Sequence, residues 1–214
     1  MAGFGEVADR LAETARVLHA RGWAPGTSGN FSVLVSTEPL RLVISRSGLD
    51  KGRLTPQDFL EVDGNGAVVS GAGRPSDETL VHVGIVSRAG ARAVLHTHSI
   101  WNTLASLWYA SAGGVAFEGF EMLKGLSGVK SHEHREWLPI VPNSQDYVWV
   151  AEVVEGVIAR HPTAHGVLMK GHGLYTWGRD LEEARRHVEI LEFLLELKGR
   201  LEGEGGARGH RQDP

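Results

Sequence analysis

The sequence predicts an α+β fold, a largely antiparallel sheet covered by helices, and three observations lead there. Segments of helical periodicity open and close the chain, strand-like runs recur between them, and few of those runs are joined as the strand–helix–strand units of a parallel sheet. At 214 residues the chain suits a single domain, able to bury about 70% of its unfolded surface around one core.

Taken in order, Val7, Leu11, Ala15 and Leu18 follow helical spacing, and Arg21-Gly22 closes that first helix with a basic residue and a terminal glycine. Pro25-Gly26-Thr27-Ser28-Gly29-Asn30 is a turn dense in hydroxyl and amide groups before a strand from Phe31 to Ser36. A strand from Leu40 to Ser45 ends in a second donor-rich turn, Arg46-Ser47-Gly48-Leu49-Asp50-Lys51. Gly64-Asn65-Gly66 joins Phe59–Asp63 to Ala67–Val69 as a hairpin, since Gly and Asn tolerate the positive φ of such turns. In Arg74-Pro75-Ser76-Asp77-Glu78, Ser76 is the expected N-cap of a helix that carries Leu80 and Val83 and ends near Gly90. Ala93 to Leu95 is a strand running into His96-Thr97-His98, and Ser99 caps a short helix to Tyr109, ended by Gly113-Gly114. Strands are expected at Val115–Phe120 and Trp137–Val141, then a helix with Val148, Ala151, Val154 and Ile158. Short apolar runs at Gly166–Lys170 and Leu174–Gly178 flank Gly171-His172-Gly173. The last helix, Asp180 to about Lys198, has Leu181, Ala184, Val188, Leu191 and Leu195 in steps of three and four, with Gly199 as its expected stop. From Glu202 to Pro214 glycines interleave with charges, so residues 1–201 are read as the domain and 202–214 as a mobile tail.

Composition narrows the function. A net charge of -4 and a pI near 6.3 leave no broad basic face, which disfavours nucleic acid. No apolar run approaches the roughly 20 residues of a membrane span, and Met1 to Glu6 lack a signal-peptide pattern, so a cytoplasmic location is expected. With no cysteine, thiolate nucleophiles and Cys-based zinc sites are excluded, leaving histidines and carboxylates as ligands.

His96 and His98 carry the chemistry. Side chains at i and i+2 of a strand leave one face, so both imidazoles can converge on one point, the beginning of a transition-metal site. The chain holds 11 histidines, so a third ligand from elsewhere must decide. His172 stands between two glycines that allow close backbone approach, fitting either a ligand-binding imidazole or a core histidine. Three donor-rich turns, at Thr27–Asn30, Ser47–Lys51 and Ser76, together make a phosphate pocket plausible.

In this order, Thr27-Ser28-Gly29-Asn30-Phe31-Ser32, Ser47-Gly48 with Lys51, Arg74-Pro75-Ser76-Asp77-Glu78, His96-Thr97-His98-Ser99 and Lys170-Gly171-His172-Gly173 resemble the class II aldolase/adducin family over roughly residues 6 to 200. Ser47 to Gly52, Phe120 to Gly125 and Gly173 to Gly178 resemble most its branch that dehydrates a methylthio-substituted pentulose 1-phosphate in methionine salvage. The resemblance implies a three-layer αβα fold with a mostly antiparallel central sheet. It also implies one catalytic Zn2+ per subunit on His96, His98 and His172, and a homotetramer with active sites at subunit interfaces. A sugar phosphate would place its phosphate among Ser28, Gly29, Asn30, Ser47, Gly48, Lys51 and Ser76.

In that chemistry the metal acidifies the C3 proton of a ketose, a base removes it, and an acid protonates the departing C4 hydroxyl. Glu121 is assigned these proton transfers, with Glu78 as a supporting or alternative group. A class II sugar-phosphate aldolase or epimerase is the alternative on the same histidines, and a non-catalytic adducin-like scaffold is the third reading.

Overall fold

The computed structural model describes residues 3–208, with side chains to residue 203. Its elements are α1 (Phe4–Ala20), β1 (Asn30–Thr37), β2 (Leu40–Ser45), β3 (Phe59–Asp63), β4 (Val68–Ser70), α2 (Thr79–Ala89), β5 (Ala93–Thr97), α3 (Ile100–Trp108), β6 (Gly114–Phe117), β7 (Glu136–Val141), α4 (Tyr147–Arg160), β8 (Gly166–Met169), β9 (Gly173–Gly178) and α5 (Leu181–Arg208). Nine strands form one sheet in the order β4-β3-β2-β1-β5-β9-β8-β7-β6. Neighbours run antiparallel except β7 and β8, which are parallel.

The period-2 alternation of the strands feeds two cores, one on each face. Leu42, Ile44, Val62, Val94 and Val167 pack beneath Val81 and Ile85 of α2 and Val150 and Val154 of α4. Val43, Ala93 and Leu95 point the other way, onto Leu11, Ala15 and Leu18 of α1 and Leu181, Ala184 and Val188 of α5. On that second face α3 joins α5 over Leu138, Leu168 and Leu174. The result is the expected three-layer αβα sandwich. Each fully buried Leu, Ile or Val contributes about 1.5–3 kcal/mol relative to exposure, so the two apolar faces hold the sheet between its helices. Among the described residues no helix is long and apolar enough to cross a membrane.

Three boundaries differ from expectation. The helix after Ser76 begins three residues later, at Thr79, with Glu78 as its capping position. The Ser76 hydroxyl accepts from Glu78 N (3.3 Å) and from Asn30 Nδ2 (3.1 Å), which ties it to the sheet end. The strand expected to reach Phe120 stops at Phe117, because Gly119 takes φ +81° and turns the chain. Gly199 does not stop the last helix. A Cβ there would lie 2.5 Å from the Trp101 ring, so this glycine lets α5 approach α3 closely, and that packing offsets the roughly 1 kcal/mol intrinsic cost of glycine in a helix. Of the tail expected from Glu202, residues 202–208 continue α5 and 209–214 lie outside the described residues.

Candidate metal centre and its cleft

The site lies where three central strands come into register: Asn30 of β1 pairs with His96 of β5, and His96 pairs with Tyr175 of β9. His98 follows β5 by one residue, held by its backbone N–H to Trp23 O (2.7 Å). His172 arrives from the turn between β8 and β9, where Gly171 takes φ +63°. Gly173 is required for the same closeness, since a Cβ there would lie 2.4 Å from Thr97 O and 2.8 Å from His96 Cε1.

One nitrogen each of His96, His98 and His172 lies within 4.8 Å of the other two. His96 Nδ1 donates to Leu174 O (3.1 Å), which fixes the tautomer and leaves the Nε2 lone pair facing His172 Nε2 at 3.4 Å. A tetrahedral zinc with Zn–N bonds of about 2.0–2.1 Å has ligand nitrogens about 3.3–3.4 Å apart, so the residues fit a metal. Tyr175 stacks on His96 with ring centroids 3.9 Å apart and planes 12° from parallel. Burial lowers His96 to about 4 and His98 to about 3, so both are neutral imidazoles with lone pairs to give.

Glu78 stands against this cluster, with Oε1 3.1 Å from His172 Nε2 and Oε2 3.4 Å from His96 Nε2. Burial alone would raise its pKa, but His96, His172 and the amide of Asn30 outweigh that and hold it well below the usual carboxylate range. Asn30 is itself oriented from below. Ser32 Oγ donates to His82 Nδ1 (2.7 Å), His82 Nε2 donates to Asn30 Oδ1 (2.5 Å), and Asn30 Nδ2 therefore faces Glu78 Oε2 (2.5 Å).

A cleft of about 190 Å³ opens from Glu78 and His98 onto Ser28, Gly29, Asn30, Ser47, Gly48, Lys51 and Ser76. All seven residues expected to hold a phosphate thus share one cleft. Lys51 is 1% exposed and donates to Thr27 O (3.0 Å) and Leu49 O (2.8 Å), leaving one ammonium proton uncommitted. Burial lowers it to about 8, so it remains cationic at neutral pH.

Glu121 sits elsewhere. It opens the short 3-10 turn Glu121–Gly125, its side chain is 71% exposed, and its partners are Lys124 (2.5 Å) and His132 (3.9 Å). Within one subunit the structure brings Glu78, and not Glu121, against the histidines. Lys124 holds the Glu121 carboxyl below its ordinary value.

Arg46 and Tyr147 also line the cleft, and Asn143 Oδ1 lies 3.4 Å from His172 Nδ1. Arg46 was visible inside the second donor-rich turn. Tyr147 gave no signal, being an ordinary first residue of a helix, and Asn143 read only as a residue leading into it.

Residues 9–198 match the model of the Class II Aldolase and Adducin N-terminal domain. The methylthioribulose-1-phosphate dehydratase of Methylococcus capsulatus is 43% identical over 197 residues, 92% of this chain and 94% of the relative. That of Stenotrophomonas maltophilia is 42% identical over 207 residues, 94% of this chain and 95% of the relative. Among solved structures, the L-fuculose-1-phosphate aldolase of Thermus thermophilus superposes with a TM-score of 0.72 at 26% identity, covering 92% of this chain and 95% of that one. The chain belongs to the class II aldolase and adducin family.

Proposed function

We propose that the protein is a metal-dependent hydro-lyase, converting 5-methylthioribulose 1-phosphate to 2,3-diketo-5-methylthiopentyl 1-phosphate in the cytoplasmic salvage of methionine. One observation carries the reading: a single cleft joins phosphate donors to His98 and Glu78, in a chain over 40% identical to two methylthioribulose-1-phosphate dehydratases along nine-tenths of its length.

The cleft formed by Ser28, Gly29, Asn30, Ser47, Gly48 and Ser76, with the free proton of Lys51, holds the C1 phosphate. The ketone and C3 hydroxyl are thereby brought toward the histidines. His96, His98 and His172 hold one Zn2+ per subunit, which when bound supplies Lewis acidity at the ketone and so acidifies the C3 proton. Glu78, fixed by Asn30, stands on the Nε2 side of His96 and His172 and is the alternative group for proton transfer. Glu121 takes the C3 proton and returns one to the departing C4 hydroxyl. It reaches the cleft of a neighbouring subunit in a homotetramer, which fits its exposure and its absence from the lining of its own cleft. Ile100, Leu107, Trp108, Met122, Phe193 and Leu201 are exposed apolar residues, the kind of surface that subunits bury.

Incubation with 5-methylthioribulose 1-phosphate tests the reaction. Dehydration yields an enolisable 2,3-diketone phosphate with loss of one water. Release of dihydroxyacetone phosphate would instead mean cleavage of C3–C4, the aldolase reaction, on the same histidines.

A further inference from the structure

On the far side of the sheet from the cleft, Glu192 of α5 is buried to 2% exposure with three neutral donors around it. Thr97 Oγ1 (3.0 Å) and Asn102 Nδ2 (2.9 Å) donate to its Oε1, and Ser99 Oγ (2.6 Å) donates to its Oε2. All three come from the six residues that begin between His96 and His98, and none is a cation. Burial with no cation beside it raises the Glu192 carboxyl to about 7, and the three hydrogen bonds act locally: they fix where that segment lies.

The same helix reaches the third histidine. Ser99 also accepts from Asn102 N (2.9 Å) and so starts α3. Further along α3, Thr103 Oγ1 donates to His172 O (3.2 Å), and Ser106 Oγ accepts from Gly171 N (2.8 Å) while donating to Thr103 O (2.6 Å). Thus α3 grips the His96–His98 segment at its start and the His172 turn one to two helical turns later. This one short helix thus bridges His98 and His172, which lie 74 residues apart in sequence.

We propose that Glu192 is a positioning residue of the metal centre: it anchors Thr97, Ser99 and Asn102, and through α3, with Thr103 and Ser106, holds His172 in register with His96 and His98. The proposal rests on the three-histidine reading of the site. Removing partners that orient metal ligands typically weakens metal binding 10–100-fold.

The test is the zinc affinity of the metal-stripped full-length protein, measured by competition with a chelator, alongside thermal unfolding of the metal-free form. Glu192→Ala and Ser106→Ala should each bind zinc about 10–100-fold more weakly. Glu192→Gln, which keeps an acceptor for Thr97 and Asn102, should stay near the parent. If Glu192→Ala does not fold, Ser106→Ala and the near-isosteric Thr97→Val carry the test. Variants that unfold at lower temperature yet bind zinc as tightly as the parent would show a purely structural role and overturn the proposal. A parent protein that binds no zinc would overturn the three-histidine reading itself, and this proposal with it.

Discussion

At the scale of single residues, the site depends on what each imidazole does with its second nitrogen. His96 spends Nδ1 on Leu174 O, and His172 has Nδ1 beside Asn143 and Met169, so the remaining nitrogens are the ones that converge. Replacing His172 with Ala should abolish zinc retention, checked by elemental analysis of purified protein, while the far-UV spectrum stays unchanged because the residue lies in a turn. The His96-Thr97-His98 pair was legible in the sequence because strand periodicity alone puts both rings on one side. His172 was legible through its glycines: a Cβ at Gly173 would lie 2.4 Å from Thr97 O, while Gly171 serves the turn through its φ of +63°. Glu192 and His82 were not, because their meaning lies in partners 90 to 95 and 50 to 52 residues away. Local pattern carries no information at that range.

At the scale of elements, the strands and helices were legible in number and order, and the errors fell at their ends. Ser76 and Gly199 are places where a side chain or a missing one serves a distant neighbour and tertiary contact overrode the local signal, whereas the strand expected to reach Phe120 ends early at the turn that Gly119 makes. The connection from the Glu121 turn to β7 shows another long-range tie. His165 donates from Nδ1 to Glu136 Oε1 (3.0 Å) and from Nε2 to Ser127 O (2.8 Å), so it sits there as an imidazolium. Burial opposes both charges, yet the bond between them prevails: Glu136 is held below the usual carboxylate range and His165 above its ordinary value. The depressed carboxylate contributes stability above its unfolded pKa and loses it as pH falls through the folded value. The raised histidine contributes fully below its unfolded pKa and loses that stability as pH rises through its folded value. Stability from this pair should therefore peak between the carboxylate range and the raised imidazole value. Thermal unfolding across pH should show both limbs in the parent and each of them shallower in Glu136→Gln, which should be less stable by roughly 3 kcal/mol near pH 6.

At the scale of the whole molecule, the αβα sandwich places the histidines at one end of the central strands and leaves Glu121 on the outside of the same subunit. In the homotetramer proposed above, interfacial sites would unite them. His172→Ala and Glu121→Gln subunits should each be nearly inactive alone, the second by about 10²-fold or more, and co-assembly should restore part of the turnover, because some cleft then receives an intact histidine set and a glutamate from its neighbour. Absence of any recovery in confirmed mixed oligomers would return the proton transfers to a group of the same subunit, with Glu78 the nearest. The most direct test of the central claim is turnover of 5-methylthioribulose 1-phosphate by metal-stripped protein titrated with zinc. Diketone formation should be lost on stripping and return in proportion to zinc, reaching its plateau at one ion per chain. Undiminished diketone formation by the stripped protein, or a plateau unrelated to chain number, would contradict a dehydratase built on His96, His98 and His172.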